Sequence, residues 1–485
     1  MTNSARLSGR PSSSAAYNVG DVVDTPDSAI KSWRYLGAGE WEPNDAVRYT
    51  TGPGGGVVLS GHDGEINPIV PRWWSPPTSS IRKLFCVPGI DALTLGGTQG
   101  GVAELWSSPD ARYSPAAVRI TTPAGGEVAK NAYAEGPLAC DLTLSDVVVA
   151  YFFVPPTRGG ISLVSLFLGQ AGGTSFISGV AENSTEVMLA GGGGVVTVAR
   201  KVSELTTGAG PKPASEGEYQ NYKVLRIQAQ APIGAASGEI FFLGAEIVRK
   251  RKSMVCVTSD DGNVGVRDIG CPVFNGYGIP ISMYLITGRN YYGEATIPWD
   301  DIRRLAYRGN VMCNHTASHS NLSDVSVDAW AEDVLLARQH LIAEGYSDGA
   351  DHLAWVGGIR TASAIERART IGLKTARNTL PRGIYGSGGL TNPLDIGGTT
   401  SSDKVAATIL AGVDLEVSRG GDTVLMFHTF HETTNAGIVC SREVAVGVAA
   451  GLRDRVEAGS LTVGTIPDLW RRREAERGFY SDQQI

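Results

Sequence analysis

Cysteine is scarce and scattered in this chain. The six present (Cys86, Cys140, Cys256, Cys271, Cys313 and Cys440) never form C-x-x-C, so neither a disulfide framework nor a zinc knuckle is expected, and buried reduced thiols are the simpler reading. There is no surplus of positive charge. A formal net charge of −7 disfavours a nucleic-acid backbone as the main partner and leaves an uncharged or cationic polymer open. Long apolar runs are also missing: none approaches the roughly 18 residues that a membrane span needs. The opening Met1-Thr2-Asn3-Ser4-Ala5-Arg6 has no apolar h-region, so Sec export is not expected either.

Glycine, by contrast, is abundant. With 62 glycines and only 7% aromatics, many tight turns are expected, and 485 residues are enough for two or three domains. The first 30 residues are rich in Ser, Asn and Asp and read as an arm, flexible or ordered by a partner. Trp33, Tyr35, Trp41 and Tyr49 then precede Gly52-Pro53-Gly54-Gly55-Gly56, which together read as a small turn-rich β element, so that residues 1–64 form one segment. Neither this glycine run nor Gly191-Gly192-Gly193-Gly194 is followed by Lys-Ser/Thr opening a helix, so both are read as turns and not phosphate loops.

Residues 65–250 show short β runs separated by turn residues, with clear alternation in Val224-Leu225-Arg226-Ile227-Gln228-Ala229. That spacing predicts an all-β, β-sandwich domain and not βαβ units. Arg249-Lys250-Arg251-Lys252 reads as a solvated linker. From 251 to 485 the rhythm becomes strand and helix in alternation. Strands are predicted at 253–259, 279–286, 310–314, 352–356, 373–376, 423–427 and 461–464, and helices near 299–308, 326–344, 361–371, 441–457 and 466–476. The helix at 326–344 has the clearest period, Trp330, Val334, Ala337 and Leu341, with Gly345 as its stop. Such alternation predicts a parallel sheet closed or nearly closed into a barrel.

Two stretches in that half carry chemistry. Val255-Cys256-Val257-Thr258-Ser259 is an apolar strand that stops at Asp260-Asp261-Gly262, and two carboxylates there serve no core. Some fifty residues on, His315 and His319 in Asn314-His315-Thr316-Ala317-Ser318-His319 have the spacing of one face of a helical turn, within reach of a shared ion. Together they read as a metal site at strand ends. Taken singly, Asp-Asp-Gly is an ordinary turn and H-x-x-x-H an ordinary solvated helix face; their joint occurrence carries the reading. His62, His340 and His352 have no partner at ligand spacing.

These residues also carry a resemblance. Thr258-Ser259-Asp260-Asp261-Gly262 resembles the T-F-D-D-G motif of the polysaccharide deacetylases (NodB-homology, carbohydrate esterase family 4), and His315 to His319 resembles their H-S/T-x-x-H motif. The likeness covers about the last half of the chain. It implies a distorted (β/α)7 barrel behind a jelly-roll-like module that serves as carbohydrate-binding or spacer element. It also implies a divalent ion on Asp261, His315 and His319, with zinc favoured and nickel, cobalt or manganese compatible with the ligand types. Asp260 is then the general base, and His428, after Leu425-Met426-Phe427, the candidate acid, with His431 as its competitor. Three departures stand out. Ser259 replaces a Phe; the third motif has only Ala354-Trp355-Val356-Gly357-Gly358, with no arginine, leaving Arg360 or Arg377 to hold Asp260; and the Asp-Trp motif has no counterpart, so no residue is assigned to orient His428.

The resulting expectation is a metal-dependent hydrolase that removes acetyl groups from an acetylated polysaccharide. Without an export signal, such an enzyme is expected on a particle such as a phage tail, attached through its N-terminal region or as a homo-oligomer, with the cytoplasm as the alternative site. The competing expectations are a glycan-binding or structural attachment protein whose barrel has lost catalysis, and an amide hydrolase acting on a small molecule.

Overall fold

The computed structural model describes residues 93–481 apart from 110–115, 127–128, 138–141, 156–158, 171–175, 179–193, 206–220, 249–251, 289–295, 382 and 386–391, together with the backbone of seven short strands between Val22 and Phe85. Most of the Ser-rich arm, His62, Cys86, Cys140, the glycine run 52–56, Gly191 to Gly193 and most of the basic run fall outside the described residues, whereas Val22–Asp24 of the arm form a strand. By contacts the chain forms two units, residues 1–76 with 298–309 and residues 77–297 with 310–485. In the first, strands 32–37, 40–43 and 48–51 accompany the aromatic residues that predicted a β element, and the helix Trp299–Tyr307 belongs to the same unit.

The second unit begins with two antiparallel sheets. One has the order 194–201, 147–154, 238–248, 116–122, 102–107, and the other 176–178, 163–170, 222–231, 130–137, 94–98. Period-two burial along Lys130–Pro137 and Tyr222–Ala231 shows why the alternating sequence forms strands with one face in the core. Ile120, Phe152 and Phe242 of the first sheet join Ala132, Leu166 and Ile227 of the second in one apolar cluster. The first sheet is buried on its other face too, where Val149, Tyr151 and Phe241 pack with Tyr385 from the later half of the chain. That is why Val147–Val154 reads as an unbroken apolar run.

The later half is a curled parallel sheet of the (β/α)-barrel kind. Its strands are β1 (Ser253–Ser259), β2 (Ile281–Leu285), β3 (Val311–Asn314), β4 (His352–Ala354), β5 (Thr375–Arg377), β6 (Thr399–Thr400) and β7 (Thr423–Phe427), in the spatial order β5-β4-β3-β2-β1-β7-β6. A parallel bridge between Arg377 and Ile396 links the β5 edge to the segment that leads into β6. Helices cover the sheet, so β1 is buried at every position and needs no alternation. Ser326, Thr361 and Ser441 cap helices Val327–Ala343, Ala362–Thr370 and Arg442–Glu457, each hydroxyl accepting a backbone N–H at 3.1–3.3 Å.

The structure amends three details of the sequence reading. The two-residue β6 is too short to carry a pattern, and β8 (Leu461–Gly464), counted as the seventh barrel strand, instead pairs with the first half of β1 while β2 pairs with the second. Helix Ala406–Ser418 was not predicted, because it has no side-chain cap and holds Gly412 in its middle. The turn of π-helix and short helix over 266–276 was hidden by Gly270, Pro272 and Gly276.

A fully buried ion pair fastens the end of the barrel opposite the strand C-termini. Arg473 Nε donates to Asp422 Oδ2 at 2.7 Å, Asp422 Oδ1 accepts from Met254 N at 2.7 Å, and Arg473 also donates to the Ile384 carbonyl. Replacing one member strands the other's charge in a low-dielectric interior. Arg473→Leu is therefore expected to cost about 3–5 kcal/mol, seen as a lower thermal midpoint, with Asp422→Asn in the same chain recovering part of the loss. An unchanged midpoint would show that the pair does not fasten the barrel.

Candidate active site

The two carboxylates are placed by the way β1 ends. The ladder with β7 runs one residue past the strand, Asp260 N donating to Phe427 O at 3.0 Å, and Ser259 Oγ donates to His428 O at 2.9 Å. Asp261 and Gly262 then adopt φ of 70° and 75°. Aspartate is among the few side chains that tolerate the left-handed region, and a Cβ on Gly262 would meet Leu285 Cδ2 at 2.9 Å. Two successive left-handed residues turn the chain sharply, so the adjacent carboxylates can serve different partners.

The two histidines do not lie on a helical turn. They sit in a loop after β3 in which Thr316 and His319 have φ of 66° and 63°. Side-chain bonds replace the helical ladder. Asn314 Oδ1 accepts from Thr316 N at 2.8 Å, Thr316 Oγ1 accepts from Ser320 N at 3.1 Å, and the Asp333 carboxylate, on helix Val327–Ala343, accepts from Ser318 N at 3.0 Å and Ser320 N at 3.3 Å. Asn is a strong former of such local turns, so the residue before His315 diverts the backbone from the helix that spacing alone suggested.

This loop and the Asp261 turn converge. His315 Nε2 lies 3.3 Å and His319 Nε2 3.5 Å from Asp261 Oδ1, and the three candidate ligand atoms lie within 4.8 Å of one another. His315 Nδ1 is 3.0 Å from the Ala354 carbonyl, which accepts only from an N–H, so Nδ1 carries a proton and, in the neutral ring, Nε2 offers a lone pair. Burial pushes the Asp261 carboxyl up, but the His315 hydrogen bond and the charges of His315, His428 and His319 outweigh it and hold it below its ordinary value. Burial lowers His315, yet its bond to Asp261 and the charges of Asp260 and Asp261 raise it overall. His319 is brought down to about 4 by burial and by its neighbour His315. Two imidazoles and one carboxylate, facing one point with one tautomer fixed, suit a divalent cation and leave further coordination positions open.

Asp260 has a different partner. Arg377 Nη2 reaches both of its oxygens at 2.5 Å, with the guanidinium fully buried and the carboxylate nearly so. Arg360, the other candidate, instead donates to Asp395 and to the Gly358 carbonyl. Trp355 occupies the strand end where the resemblance leads one to expect an arginine, stacked on Trp330 at 4.9 Å, and the arginine comes from the neighbouring strand β5. His428 Nε2 lies 3.9 Å from Asp260 Oδ2, whereas His431 Nδ1 accepts from Thr433 N and Thr434 N in an exposed turn. The structure thus brings Asp260, Asp261, His315, His319 and His428 to one end of the barrel and leaves His431 out of that cluster.

Residues 248–376 match the family model "Polysaccharide deacetylase". That stretch carries a polysaccharide deacetylase domain. No curated protein matches the chain. Among solved structures, a family 4 carbohydrate esterase from Streptomyces lividans is 16% identical with a TM-score of 0.32, covering 45% of this chain and 95% of its own. The peptidoglycan deacetylase PdaC from Bacillus subtilis is 14% identical with a TM-score of 0.32, covering 48% and 97%. A putative polysaccharide deacetylase from Mycobacterium smegmatis is 13% identical with a TM-score of 0.35, covering 47% and 91%.

Within the deacetylase domain, Asn314 and Asp333 went unassigned from sequence. An Asn directly after an apolar strand and before the first histidine was a legible turn signal. Asp333 gave none, being one polar residue on an amphipathic helix whose carboxylate meets the loop only in three dimensions. Because it fixes the His319 loop, Asp333→Ala is expected to weaken zinc binding by about 10- to 100-fold, as measured by titration calorimetry. His315→Ala removes a candidate ligand and should lose more. Equal zinc affinity in Asp333→Ala and the parent would show that the loop holds its shape without that carboxylate.

Proposed function

We propose that this chain is a metal-dependent hydrolase that removes acetyl groups from an acetylated polysaccharide. The observation that carries the reading is the convergence of Asp261, His315 and His319 beside an Arg377-held Asp260 and a strand-end His428, with Asp260, Asp261, His315 and His319 inside the residues matched by the polysaccharide deacetylase model. A divalent cation on the first three residues, zinc being the best match to the N2O donor set, would supply Lewis acidity to a water and to the acetyl carbonyl. The residues of the chain divide the remaining work. Asp260 accepts a proton from the attacking water, with Arg377 fixing its carboxylate plane so that one geometry is presented. His428, across the cluster, donates a proton to the departing amine or alkoxide. The adjacent carboxylates can take separate roles because each has its own partners, Arg377 for Asp260 and the imidazole pair for Asp261.

The antiparallel sheets ahead of the barrel we assign, as a jelly-roll-like sandwich, to glycan contact, and attachment to a virion tail to the N-terminal region. Trp106, 48% exposed on the edge strand 102–107 with the Arg119 guanidinium 4.7 Å over its ring, supports a sugar-stacking surface there. The assay is release of acetate from acetylated glycans by the full chain loaded with zinc. Acetate is expected with metal and not after chelation, and Asp260→Asn should lower the rate by about 10²–10⁴-fold. Protein that binds zinc but frees no acetate from any acetylated glycan would favour the binding-only reading, and preference for a monomeric amide would favour a small-molecule hydrolase.

A further inference from the structure

Arg377 reaches Asp260 from the end of β5, and a long side chain with many rotamers has to be aimed to do so. Its Nε is buried and has no hydrogen-bond partner among the described residues. Only the two terminal nitrogens are directed: Nη2 donates to Asp260, and Nη1 donates to the Asn378 carbonyl at 3.2 Å with the Met426 sulfur against it. The guanidinium carbon lies 5.2 Å from the centre of the Tyr284 ring. With Nε unheld, the course of the stem is set by the walls around it.

One wall is the segment that leads into β6. Asn378 N donates to Ile396 O at 2.9 Å and Ile396 N donates to Ala376 O at 3.0 Å, so the chain is strapped to that segment on both sides of Arg377. Asn378 is fully buried: its Nδ2 donates to Asp395 Oδ1 at 2.6 Å, and its Oδ1 accepts from Leu380 N at 2.7 Å, which fixes the turn whose carbonyl receives Nη1. Arg360 neutralises Asp395 in turn. Gly398, buried three residues beyond Asp395, lies directly against the arginine stem. A Cβ there would meet Arg377 Cδ at 2.7 Å, Arg377 Cγ at 3.1 Å and the Asn378 carbonyl oxygen at 2.7 Å. The backbone of Gly398 is not left-handed, so what glycine supplies at this position is space and not conformational freedom.

We propose that Gly398 and Asn378 are positioning residues for Arg377: the glycine leaves the channel that the arginine stem fills, and the Asn378 carbonyl turns the guanidinium so that Nη2 meets Asp260. They act on opposite ends of one side chain, Gly398 on Cγ and Cδ and Asn378 on Nη1. Both act on the chemistry only through Arg377 and the plane in which it holds the Asp260 carboxylate. Their influence therefore falls on the rate of the step that uses Asp260 and not on the affinity of the Asp261, His315 and His319 cluster for a cation.

The proposal rests on the deacetylase reading for its kinetic arm, and a stability arm stands apart from it. In the zinc-loaded full chain acting on acetylated glycan, Gly398→Ala should lower kcat by about 10- to 100-fold with KM and zinc affinity unchanged, and should cost nothing more once Arg377→Ala is present. Asn378→Ala, which leaves the space at Gly398 intact, should lower kcat by about threefold to tenfold. In denaturant unfolding, the coupling between Arg377→Ala and Asp260→Asn that the parent shows should be largely lost in either variant. Activity in the parent with kcat and coupling unmoved by both variants would sink this proposal alone, and a fall in zinc affinity as large as the fall in kcat would overturn it as a distortion of the whole site. Coupling lost in protein that frees no acetate would uphold the positioning role and count against the deacetylase reading. Should Gly398→Ala fail to fold, Asn378→Ala decides: lower kcat with weaker coupling upholds the proposal, and neither change overturns it.

Discussion

The arrangement of the active end depends on one constraint: two neighbouring carboxylates cannot both be buried at a strand end unless each finds positive charge or donors of its own. Asp260 finds Arg377, and Asp261 finds two imidazoles. The sharp left-handed turn at Asp261 and Gly262 separates the two side chains that sequence places side by side. Without that turn both carboxylates would compete for one environment, and neither could be specialised.

The same constraint explains why so many residues around the site hold backbone and not ligand. Asn314 and Asp333 stabilise a loop whose two left-handed, non-glycine residues would be unfavourable in a free peptide, and the Ala354 carbonyl selects the His315 tautomer. On the other flank, Trp355 fills the core against Trp330 while its backbone N–H donates to the Arg377 carbonyl at 2.9 Å. The strand end that carries Trp355 thus helps to place the strand that carries Arg377. The cation in contact with Asp260 is defined by where its charge ends up, and two neighbouring parallel strands can deliver it to nearly the same point.

Legibility followed the range of the interaction that decided each feature. The β1 and β7 strands are long and apolar and stood out, as did the capped helix Val327–Ala343 with its core stripe of Trp330, Val334, Ala337 and Leu341. The two-residue β6 did not, because a strand that short has no period to detect, and its existence depends on β7 being there to pair with. The H-x-x-x-H spacing picked out two residues that do converge, but through the wrong backbone: loop and helix can each bring positions four apart together, and spacing alone does not separate them.

By itself, then, the sequence determined the local quantities: which stretches are apolar enough to be strands, where helices are capped, and that two carboxylates and two imidazoles have no core to serve. Only the tertiary structure decided which arginine neutralises Asp260, which histidine faces it, and that Asp333 braces the His319 loop. Those choices lie between residues 15 to 168 positions apart or on adjacent strands, for which no local pattern exists, and they are fixed by barrel register and by the cost of leaving a buried charge without a partner.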